Sequence, residues 1–577
     1  MRKISMFVTS DTHGQWVSRA DYHQLSLLDT AMTLHHHRQA CDHPTLTIDL
    51  GDFIQGSGLA TYFNQERKDG TMFARVMNAM QYDAQLVGNH EFNFGPDYRN
   101  HILEQISAPI LAANIVDEAT GQPVYGQPYR IFDIDGTKVG ILGVTTSYIK
   151  HWELPKNYQG LEFPDAFETV KTYVHQLRPQ VDVLVVAYHG GFEKDLITFE
   201  PIEPQTGENQ GARMIEEIEG IDILLTGHQH RHLAGHTRGV TYLQPGYGGE
   251  YIGQIDLEIS DDHHLEQAHA HLIPVKDKQD YAPWLKAALD PDFTEGKQWL
   301  QFVIGHAPIQ SSTDVPFEAR LFGHPYAEFL NQIQLKHTGA QFSGVAIVND
   351  AFAKFTGEIR QETLLEAYPF YNLISTVRLT GQDLFDIMEY NMEYFSWTPH
   401  GQLRINPKKL DPKPQHYNLD LYSGFTSVVD LTQAFGHRVI DLVDETTGES
   451  LDRDKEYIVA VSQYRAVGGG NYHWFKEDKI IDISEIDIAT LIKTQLDTFD
   501  ASDWEKINQA YQHIVFVNEP LLSQDPMNPE DMAVIESLQE VEDMANNLQA
   551  ENSTEEVTQD LDQHKDSNVY FEKRHEF

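Results

Sequence analysis

The chain has 577 residues, of which 41% are hydrophobic and 11% aromatic, and this length predicts about three to four domains of roughly 150 residues. Its 42 basic and 87 acidic residues give a net charge of −45, which argues against retention of polymeric nucleic acid by bulk charge. The single cysteine, Cys41, excludes an intrachain disulfide framework, a four-cysteine zinc site and an iron–sulfur cluster.

The sequence predicts neither a targeting segment nor a membrane span. Only five largely apolar residues follow Lys3 before the polar run that begins at Thr9, whereas a secretory signal needs about 7–15. The sequence also has no uninterrupted apolar stretch of about 18 residues, the length that a membrane helix requires. We therefore predict a cytoplasmic protein that contacts no membrane.

The first half of the chain alternates short β-branched runs with amphipathic stretches. Buried strands are predicted at Ile4–Val8, Thr45–Leu50, Gln85–Val87, Ile110–Ala113, Lys138–Val144, Val181–Ala187 and Ile221–Thr226. Helices are predicted between them at Tyr22–His37, Thr71–Met80, Phe167–Leu177 and Ala212–Ile218. This alternation predicts an α/β fold whose functional residues gather at the carboxyl ends of the strands.

The pattern changes in the second half of the chain. Short strands with glycine turns are predicted over Val240–Ile273, followed by a helix over Gln279–Leu289 that Asp290-Pro291 ends. The last residues are acidic, with 15 acidic and 3 basic side chains over 525–577, and they predict a partly disordered tail with a helix near Pro529–Leu548. We predict a catalytic domain over 1–274, a helical connector over 275–303, a second α/β domain over 304–518, and this tail over 519–577.

Residue types that bind metals stand directly after five of the predicted strands. The five motifs are Asp11-Thr12-His13, Gly51-Asp52, Gly88-Asn89-His90-Glu91, His189-Gly190 and Gly227-His228-Gln229-His230. Residues two apart in an extended segment share a face, so Asp11 and His13 are predicted to face one cleft. The same spacing applies to His228 and His230. Adjacent glycines allow tight turns at these loops.

The ligand types predict a pair of divalent metal ions. Carboxylate, amide and imidazole groups without thiolate suit Mn²⁺, Zn²⁺, Fe²⁺ or Co²⁺ better than Ca²⁺, and the sequence selects none of the four. Two ions about 3.5–4 Å apart need a bridging ligand, and Asp52 is the candidate bridge because a carboxylate has two oxygens. The remaining candidates are Asp11, His13 and His230 for one ion and Asn89, His189 and His228 for the other.

These ordered motifs resemble those of the calcineurin-like metallophosphoesterases. The resemblance is carried by Ser10-Asp11-Thr12-His13-Gly14, Gly51-Asp52, Gly88-Asn89-His90-Glu91-Phe92, His189 and Gly227-His228-Gln229-His230. It is strongest to the branch of the bacterial 5′-nucleotidases and 2′,3′-cyclic-nucleotide 2′-phosphodiesterase/3′-nucleotidases, and it covers roughly residues 1–517. It implies a four-layer αββα catalytic domain followed by a smaller α/β nucleotide-binding domain, and phosphoester hydrolysis by a metal-activated hydroxide. It also implies that His90 protonates the leaving oxygen or stabilises the transition state.

Three positions depart from the 5′-nucleotidase pattern. Asn93 stands where 5′-nucleotidases commonly carry an aspartate that pairs with the histidine, and an asparagine can bond His90 without supplying negative charge. The run from Val348 to Lys354 lacks the arginine that helps those enzymes hold phosphate, and Gly470 replaces an aspartate. The resemblance therefore favours 2′,3′-cyclic nucleotides and 3′-nucleotides as substrates.

A nucleotide clamp is predicted in the second domain. Two aromatic rings can hold a base between them through stacking worth about 1–3 kcal/mol, and Tyr417 and Tyr464 are the candidate walls. Gly468 and Gly469 would allow close approach of the backbone, and Arg465 is a candidate nucleotide contact with a surface salt bridge as its alternative. The run Tyr368-Pro369-Phe370-Tyr371-Asn372 also resembles the cyclic-phosphodiesterase branch.

The predicted function is metal-dependent hydrolysis of nucleotide phosphoesters in nucleotide catabolism. The predicted partner is a small nucleotide, without polymeric nucleic acid or membrane, and the oligomeric state is left open. One alternative is a 5′-nucleotidase or nucleotide-sugar hydrolase. A second alternative is a non-catalytic nucleotide-binding protein.

Overall fold

The computed structural model describes residues 2–15, 27–275, 282–410 and 414–527. The predicted tail helix at Pro529–Leu548 lies outside the described residues, as do the first residues of the helices predicted from Tyr22 and from Gln279. Among the described residues, every helix is too short or too polar to span a bilayer.

The first part of the chain contains the elements that carry the predicted motifs. Its strands are β1 Arg2–Thr9, β2 Thr45–Asp49, β3 Ala84–Leu86, β4 Ile110–Leu111, β5 Val116–Asp117, β6 Tyr129–Ile134, β7 Thr137–Thr145, β8 Leu161–Glu162, β9 Val183–His189, β10 Ile223–Thr226, β11 His232–Thr237, β12 Val240–Pro245, β13 Tyr251–Ile259 and β14 Leu265–Pro274. Its helices are α1 Leu27–Ala40, α2 Gly58–Thr61, α3 Thr71–Met80, α4 Pro96–Leu103, α5 Ala166–Leu177 and α6 Gly211–Glu217, and α7 Pro283–Leu300 follows.

Most of these strands form two sheets that pack face to face. In the described part of the chain each sheet has six strands, in the orders β14-β13-β1-β2-β3-β4 and β11-β12-β10-β9-β7-β6. The aliphatic side chains between the sheets come from both, such as Ile4 and Ile48 from the first and Val185 from the second. Helices α1, α3 and α7 cover the outer face of the first sheet, and α5 and α6 cover that of the second. The predicted four-layer αββα architecture is confirmed.

The strands that precede the motifs run parallel to their neighbours. In the first sheet, β1 pairs in parallel with β2 and β2 with β3. In the second sheet, β9 pairs in parallel with β7 and β10. Because parallel strands end at the same edge of a sheet, the loops that follow them open on a common edge.

The predicted end of a helix at Asp290-Pro291 is wrong. Helix α7 continues through Pro291 to Leu300. A proline inside a helix removes one backbone hydrogen bond, but α7 buries Leu285 and Leu289 against the helices of the first layer. After the proline, Phe293 and Trp299 pack against the same cluster. This packing on both sides of the proline accounts for the continuation of the helix.

The second part of the chain is a mixed α/β unit, as predicted. Its strands are β15 Val303–Ala307, β16 Phe342–Ala346, β17 Gly357–Arg360, β18 Leu373–Thr380, β19 Phe395–Trp397, β20 Leu403–Ile405, β21 Asp420–Ser423, β22 Phe425–Val429, β23 Val439–Asp444, β24 Glu456–Ser462, β25 Ile480–Asp487 and β26 Ile514–Phe516. Its helices are α8 Pro316–Phe322, α9 Pro325–Thr338, α10 Gln361–Ala367, α11 Gly381–Met392, α12 Gln463–Ala466, α13 Ile488–Gln495 and α14 Ala501–Gln509. In the described residues its largest sheet has the order β21-β16-β24-β18-β25 and lies between two apolar clusters.

Candidate functional site

The five predicted motifs meet in one pocket at the strand ends. Two groups of possible ligands are formed by Asp11, His13 and His230, and by Asp52, His189 and His228, with one ligand atom per residue within 4.8 Å of the others in its group. Asn89 joins the second group, because its Oδ1 lies 3.1 Å from His189 Nε2 and 2.9 Å from His228 Nδ1. The structure therefore brings all seven predicted ligands together.

The converging atoms are of the kinds that divalent transition ions bind. In the first group, Nε2 of His230 lies 3.1 Å from Nε2 of His13 and 3.4 Å from Oδ1 of Asp11. In the second group, Oδ2 of Asp52 lies 3.1 Å from Nε2 of His189. Imidazole nitrogens and carboxylate or amide oxygens fit Mn²⁺, Zn²⁺, Fe²⁺ or Co²⁺, and the residues present therefore fit the predicted ions.

Hydrogen bonds behind the ligands orient three of the imidazoles. Nδ1 of His13 lies 2.8 Å from the carbonyl oxygen of Gln55, and Nδ1 of His189 lies 2.8 Å from that of Leu50. Nε2 of His228 lies 2.9 Å from Oε1 of Glu208. If each of these nitrogens donates its hydrogen to the oxygen, the other ring nitrogen presents its lone pair to the pocket, the arrangement that metal-binding histidines require.

The backbone of the ligand loops is left-handed, not extended. The φ angles are 52° at Asp11, 49° at His13, 59° at Asp52, 66° at His228 and 60° at His230. The prediction that each Asp-x-His or His-x-His pair shares the face of an extended segment is therefore wrong, although the side chains do converge. Non-glycine residues in this conformation are strained, and such strain concentrates at functional sites.

Backbone bonds between the loops hold this conformation. The N–H of Asp11 donates to the carbonyl of Gly51 at 3.0 Å, and the N–H of His13 donates to that of Asp52 at 2.9 Å. The N–H of His228 donates to Oδ2 of Asp11 at 3.0 Å. The loops that carry Asp11 and His13, Asp52, and His228 are therefore held by one another.

Glu91 and Gly88 shape the pocket without offering it a ligand. The buried Glu91 carboxylate accepts backbone N–H groups of Gly88 at 2.7 Å, Asp52 at 2.8 Å and Phe53 at 2.8 Å. Burial and the charge of Asp52 raise the pKa of Glu91 to about 7. Gly88 is required because a Cβ there would lie 2.2 Å from Oδ1 of Asp52 and 2.8 Å from Cε1 of His189.

The electrostatics of the ligands follow from burial and mutual contact. Burial opposes ionisation of Asp11, but its hydrogen bond with His230 and the charge of His189 lower its pKa to about 2. Burial and the neighbouring His230 lower the pKa of His13 to about 4. Burial would lower the pKa of His189, but the charge and hydrogen bond of Asp52 raise it to about 10. The Asp52 carboxylate therefore stabilises positive charge on His189.

His90 lies at the rim of the pocket beside both groups. Its backbone N–H donates to Oδ1 of Asp52 at 2.8 Å, and its ring centroid is 5.3 Å from that of His13. Nδ1 of His90 lies 2.7 Å from Oδ1 of Asn93, the contact that the sequence predicts. His90 therefore lies next to the predicted ligands. The bond that holds its ring comes from Asn93, which belongs to neither group of ligands.

Arg465 is buried, so the sequence-based alternative of a surface salt bridge is wrong. Its side chain is 3% exposed and pairs with Asp420 through two bonds, Nε to Oδ2 at 2.7 Å and Nη2 to Oδ1 at 3.0 Å. Nη2 also donates to the carbonyl of Tyr417 at 3.1 Å, and Nη1 donates to that of Gly469. Arg465 thus joins the segments of the predicted clamp from behind, and this bonding favours a supporting role over the predicted contact with nucleotide.

The other predicted clamp residues lie around Arg465. Tyr417 and Tyr464 are half-buried, and the Tyr464 ring packs against Gly469, where a Cβ would be 2.6 Å from the ring. Burial and the charge of Glu208, which also contacts the candidate ligand His228, raise the pKa of Tyr417 to about 12. The clamp segment therefore lies within electrostatic reach of the metal pocket.

The turn after Tyr464 has a left-handed backbone at two glycines and, at Gly470, no space for a larger side chain. Gly468 has a φ of 90° and Gly470 a φ of 73°. A Cβ at Gly470 would lie 2.1 Å from Oδ1 of Asn418. A side chain at position 470 would therefore require Asn418 or Arg465 to shift.

Several residues near the site are not singled out by sequence reasoning. Rings of Tyr148 and His151 stack with centroids 3.6 Å apart, and the Trp152 ring centroid is 5.4 Å from that of His228. In the second part, Arg320 contacts Asp350 at 3.1 Å, within the run Val348–Lys354 that lacks an arginine of its own. Aromatic residues directly after β7 are the one sequence signal that could have indicated the first cluster.

Two family models match most of the chain. Residues 4–232 match the calcineurin-like phosphoesterase model, and residues 303–477 match that of the 5′-nucleotidase C-terminal domain. One similar solved structure is from Staphylococcus aureus and is provisionally assigned as a 5′-nucleotidase, in complex with alpha-ketoglutarate. Its sequence is 30% identical to this chain, and the TM-score is 0.80. The match covers 89% of this chain and 99% of that one. The chain belongs to the calcineurin-like phosphoesterases with a 5′-nucleotidase C-terminal domain. The resemblance stated from the sequence is confirmed.

Several curated relatives are named for activities on nucleotide phosphoesters. The 2′,3′-cyclic-nucleotide 2′-phosphodiesterase/3′-nucleotidase of Salmonella typhimurium is 25% identical, with 81% of each chain covered. The trifunctional nucleotide phosphoesterase protein YfkN of Bacillus subtilis is also 25% identical, over 84% of this chain. The chain spans only 37% of the length of that relative.

Membership of the calcineurin-like phosphoesterases makes the chain a metal-dependent hydrolase. Members of this family use two divalent ions, and the two groups of possible ligands agree with that number. The alternative of a non-catalytic nucleotide-binding protein is therefore set aside.

Proposed function

We propose that this phosphoesterase hydrolyses small nucleotides, with 2′,3′-cyclic nucleotides and 3′-nucleotides as its substrates. The observation that carries the proposal is the convergence of seven candidate ligands beside a histidine that is bonded to Asn93. The substrate class is supported by the name of the Salmonella relative. It is also supported by Asn93 and Gly470, which depart from the 5′-nucleotidase pattern.

The proposed roles of the residues follow from their positions. Two bound divalent ions would lower the pKa of a water molecule and neutralise charge on the phosphoryl oxygens. Asp11, His13 and His230 would hold one ion, and Asn89, His189 and His228 the other, with Asp52 as the bridge. His90 would donate a proton to the leaving oxygen, because its ring lies at the rim of both groups.

The base of the nucleotide would stack between Tyr417 and Tyr464. Arg465 would hold these two segments together from behind through the carbonyls of Tyr417 and Gly469. The net charge of −45 disfavours polymeric nucleic acid, whereas two bound ions would supply local positive charge for one phosphate group. A mononucleotide fits these conditions better than a polymer.

A 5′-nucleotidase or nucleotide-sugar hydrolase is the second candidate. It is favoured by the match of residues 303–477 to the 5′-nucleotidase C-terminal domain and by the provisional assignment of the Staphylococcus aureus protein. Both candidates use the same metal pocket and differ in which ester bond of the nucleotide reaches it.

A substrate panel distinguishes the two candidates. The enzyme reconstituted with each of the four metals would be given 2′,3′-cAMP, 3′-AMP, 5′-AMP, UDP-glucose and bis-p-nitrophenyl phosphate. We expect the highest kcat/KM on 2′,3′-cAMP and 3′-AMP. Turnover of 5′-AMP or UDP-glucose without turnover of 2′,3′-cAMP would replace our proposal with the second candidate.

Variants test whether the proposed ligands support this turnover. Asp52→Asn is expected to lower kcat by more than about 100-fold, since the amide loses the charge that would lie between the ions. Asp290→Asn is the matched control, because Asp290 is an exposed residue of α7 that pairs with Lys286. Equal activity of both variants would contradict the assignment of Asp52.

The organisation of the chain stays a prediction. We keep 1–274 as the proposed catalytic domain, 275–303 as the connector and 304–518 as the nucleotide-specificity domain. The cytoplasm stays the predicted compartment.

A further inference from the structure

We propose that Glu153 is a positioning residue that acts through Asn93 and determines which ring nitrogen of His90 carries the hydrogen. This inference rests on the proposed function, because it concerns the histidine that would protonate the leaving oxygen. Glu153 lies 60 positions from Asn93 in the chain and belongs to none of the five motifs.

A continuous row of hydrogen bonds joins Glu153 to His90. Oε1 of Glu153 accepts the side-chain amide Nδ2 of Asn93. The other end of that amide, Oδ1 of Asn93, lies 2.7 Å from Nδ1 of His90. The segment after β7 thereby contacts the segment after β3 directly beside the predicted ligands.

The orientation of an asparagine amide depends on its partners, because its oxygen and nitrogen ends have nearly the same shape. Asn157 donates its Nδ2 to Oε2 of Glu153 at 2.8 Å, so both oxygens of this carboxylate accept hydrogen bonds. An accepting carboxylate requires the nitrogen end of Asn93 on its side. The oxygen end of Asn93 must then face His90.

This orientation determines the hydrogen that His90 carries. Oδ1 of Asn93 is an acceptor only, so Nδ1 of His90 must be the donor in the 2.7 Å contact. The hydrogen on Nδ1 and the fixed ring plane leave Nε2 as the nitrogen that can exchange a proton with a substrate. A flipped Asn93 would present its N–H groups to Nδ1 and would reverse this assignment.

The frame around Glu153 holds the row in place. Asn157 is 6% exposed and donates from the same Nδ2 to the carbonyl of Asn93 at 3.2 Å. The buried Arg99 donates to the carbonyl of Asn157 at 2.9 Å and lies over the Phe92 ring at 4.3 Å. Asn93 is therefore fixed at both its backbone and its side chain. Although position 93 is not an aspartate, the Glu153 carboxylate is connected to His90 through Asn93.

The test uses Glu153→Gln in the metal-loaded full chain. A glutamine can donate to Oδ1 of Asn93 and so permits the flipped amide. We expect kcat/KM to fall by about 10–100-fold on a phenyl phosphoester, whose leaving group needs a proton, since a positioned general acid contributes about 10²–10⁴-fold. On the p-nitrophenyl analogue, whose leaving group is stable as an anion, the loss should stay below about threefold.

A second variant separates positioning from a general loss of structure. In Glu153→Gln/Asn93→Asp, the aspartate accepts from both His90 and the new glutamine amide, so kcat/KM on the phenyl ester should return to within about threefold of wild type. Glu162→Gln is the matched control, because Glu162 lies in the same region and pairs with Lys150 on a partly exposed surface. The control should leave both activities unchanged.

Three results would overturn the inference: equal losses on both esters, no loss on either, or a double variant that is no better than Glu153→Gln. Metal content is measured for every variant, so that a loss of ions is recognised as a different effect. The aryl esters do not depend on base recognition. Failure of the wild-type enzyme on every nucleotide would therefore contradict the proposed function while leaving the comparison for Glu153 intact.

Discussion

Replacing Arg465 by methionine tests how the predicted nucleotide clamp is held. The side chains of Arg465 and Asp420 are 3% and 5% exposed, and their two hydrogen bonds measure 2.7 and 3.0 Å. Methionine fills a similar volume but leaves the Asp420 carboxylate buried without its partner. Loss of one member of a buried ion pair costs about 3–5 kcal/mol of folding free energy, which corresponds to a drop of about 10 °C in Tm for a domain of this size.

The same substitution should affect nucleotide binding more than chemistry. Arg465 donates to the carbonyls of Tyr417 and Gly469, so its removal releases both sides of the clamp. We expect KM for a nucleotide to rise about tenfold, with kcat on bis-p-nitrophenyl phosphate within about twofold of wild type. Calorimetry and steady-state kinetics on the same preparations measure both effects.

Two further variants make the result interpretable. Arg465→Met/Asp420→Asn removes the buried charge and should recover at least half of the lost stability, because the unpaired carboxylate is the main cost. Arg378→Met is the control, since Arg378 pairs with Glu456 on an exposed surface, where an ion pair contributes about 0–1 kcal/mol. Our reasoning is refuted if Arg465→Met and Arg378→Met lower Tm equally, or if KM for the nucleotide does not change.

Three further predictions concern other parts of the molecule. Burial opposes protonation of His513, but its hydrogen bonds with Glu328 and Glu445 raise its pKa from 6.5 to about 9. At about 1.4 kcal/mol per pH unit, this difference corresponds to about 3 kcal/mol of folding free energy. This stability is fully present below pH 6.5 and is lost as pH rises through about 9. The free energies of unfolding of wild type and His513→Gln should therefore differ most below pH 6.5. A difference that stays constant with pH would contradict the prediction. Gly88→Ala places a methyl group 2.2 Å from Oδ1 of Asp52 and should weaken metal binding by about 10–100-fold. The measurement is the metal content after dialysis. An unchanged metal content would show that the loop moves to accommodate the methyl group. Treatment with a chelator should abolish turnover and re-addition of Mn²⁺, Zn²⁺, Fe²⁺ or Co²⁺ should restore it, whereas full activity of the chelated enzyme would remove the metal centre from the reaction.

Local patterns in the sequence are sufficient for much of the fold. Alternation of β-branched runs and amphipathic stretches predicts most strands of the two sheets but not β6 or β11, and helix Thr71–Met80 has the predicted bounds. These predictions succeed because period and burial are properties of neighbouring residues. The candidate ligands are also identified from sequence, since chemically distinctive residues follow strands whose ends meet at one edge.

Tertiary contacts decided the details on which the chemistry depends. The carbonyl of Leu50 that orients His189 is 139 positions away in the chain, and backbone atoms carry no residue-specific signal. The burial of Arg465 depends on Asp420, which is 45 positions away. Strained φ angles at residues such as Asp11 persist only because other loops hold them. The sequence by itself therefore determined which groups the site contains, whereas their orientation, protonation and support depend on partners that only the folded chain brings into contact.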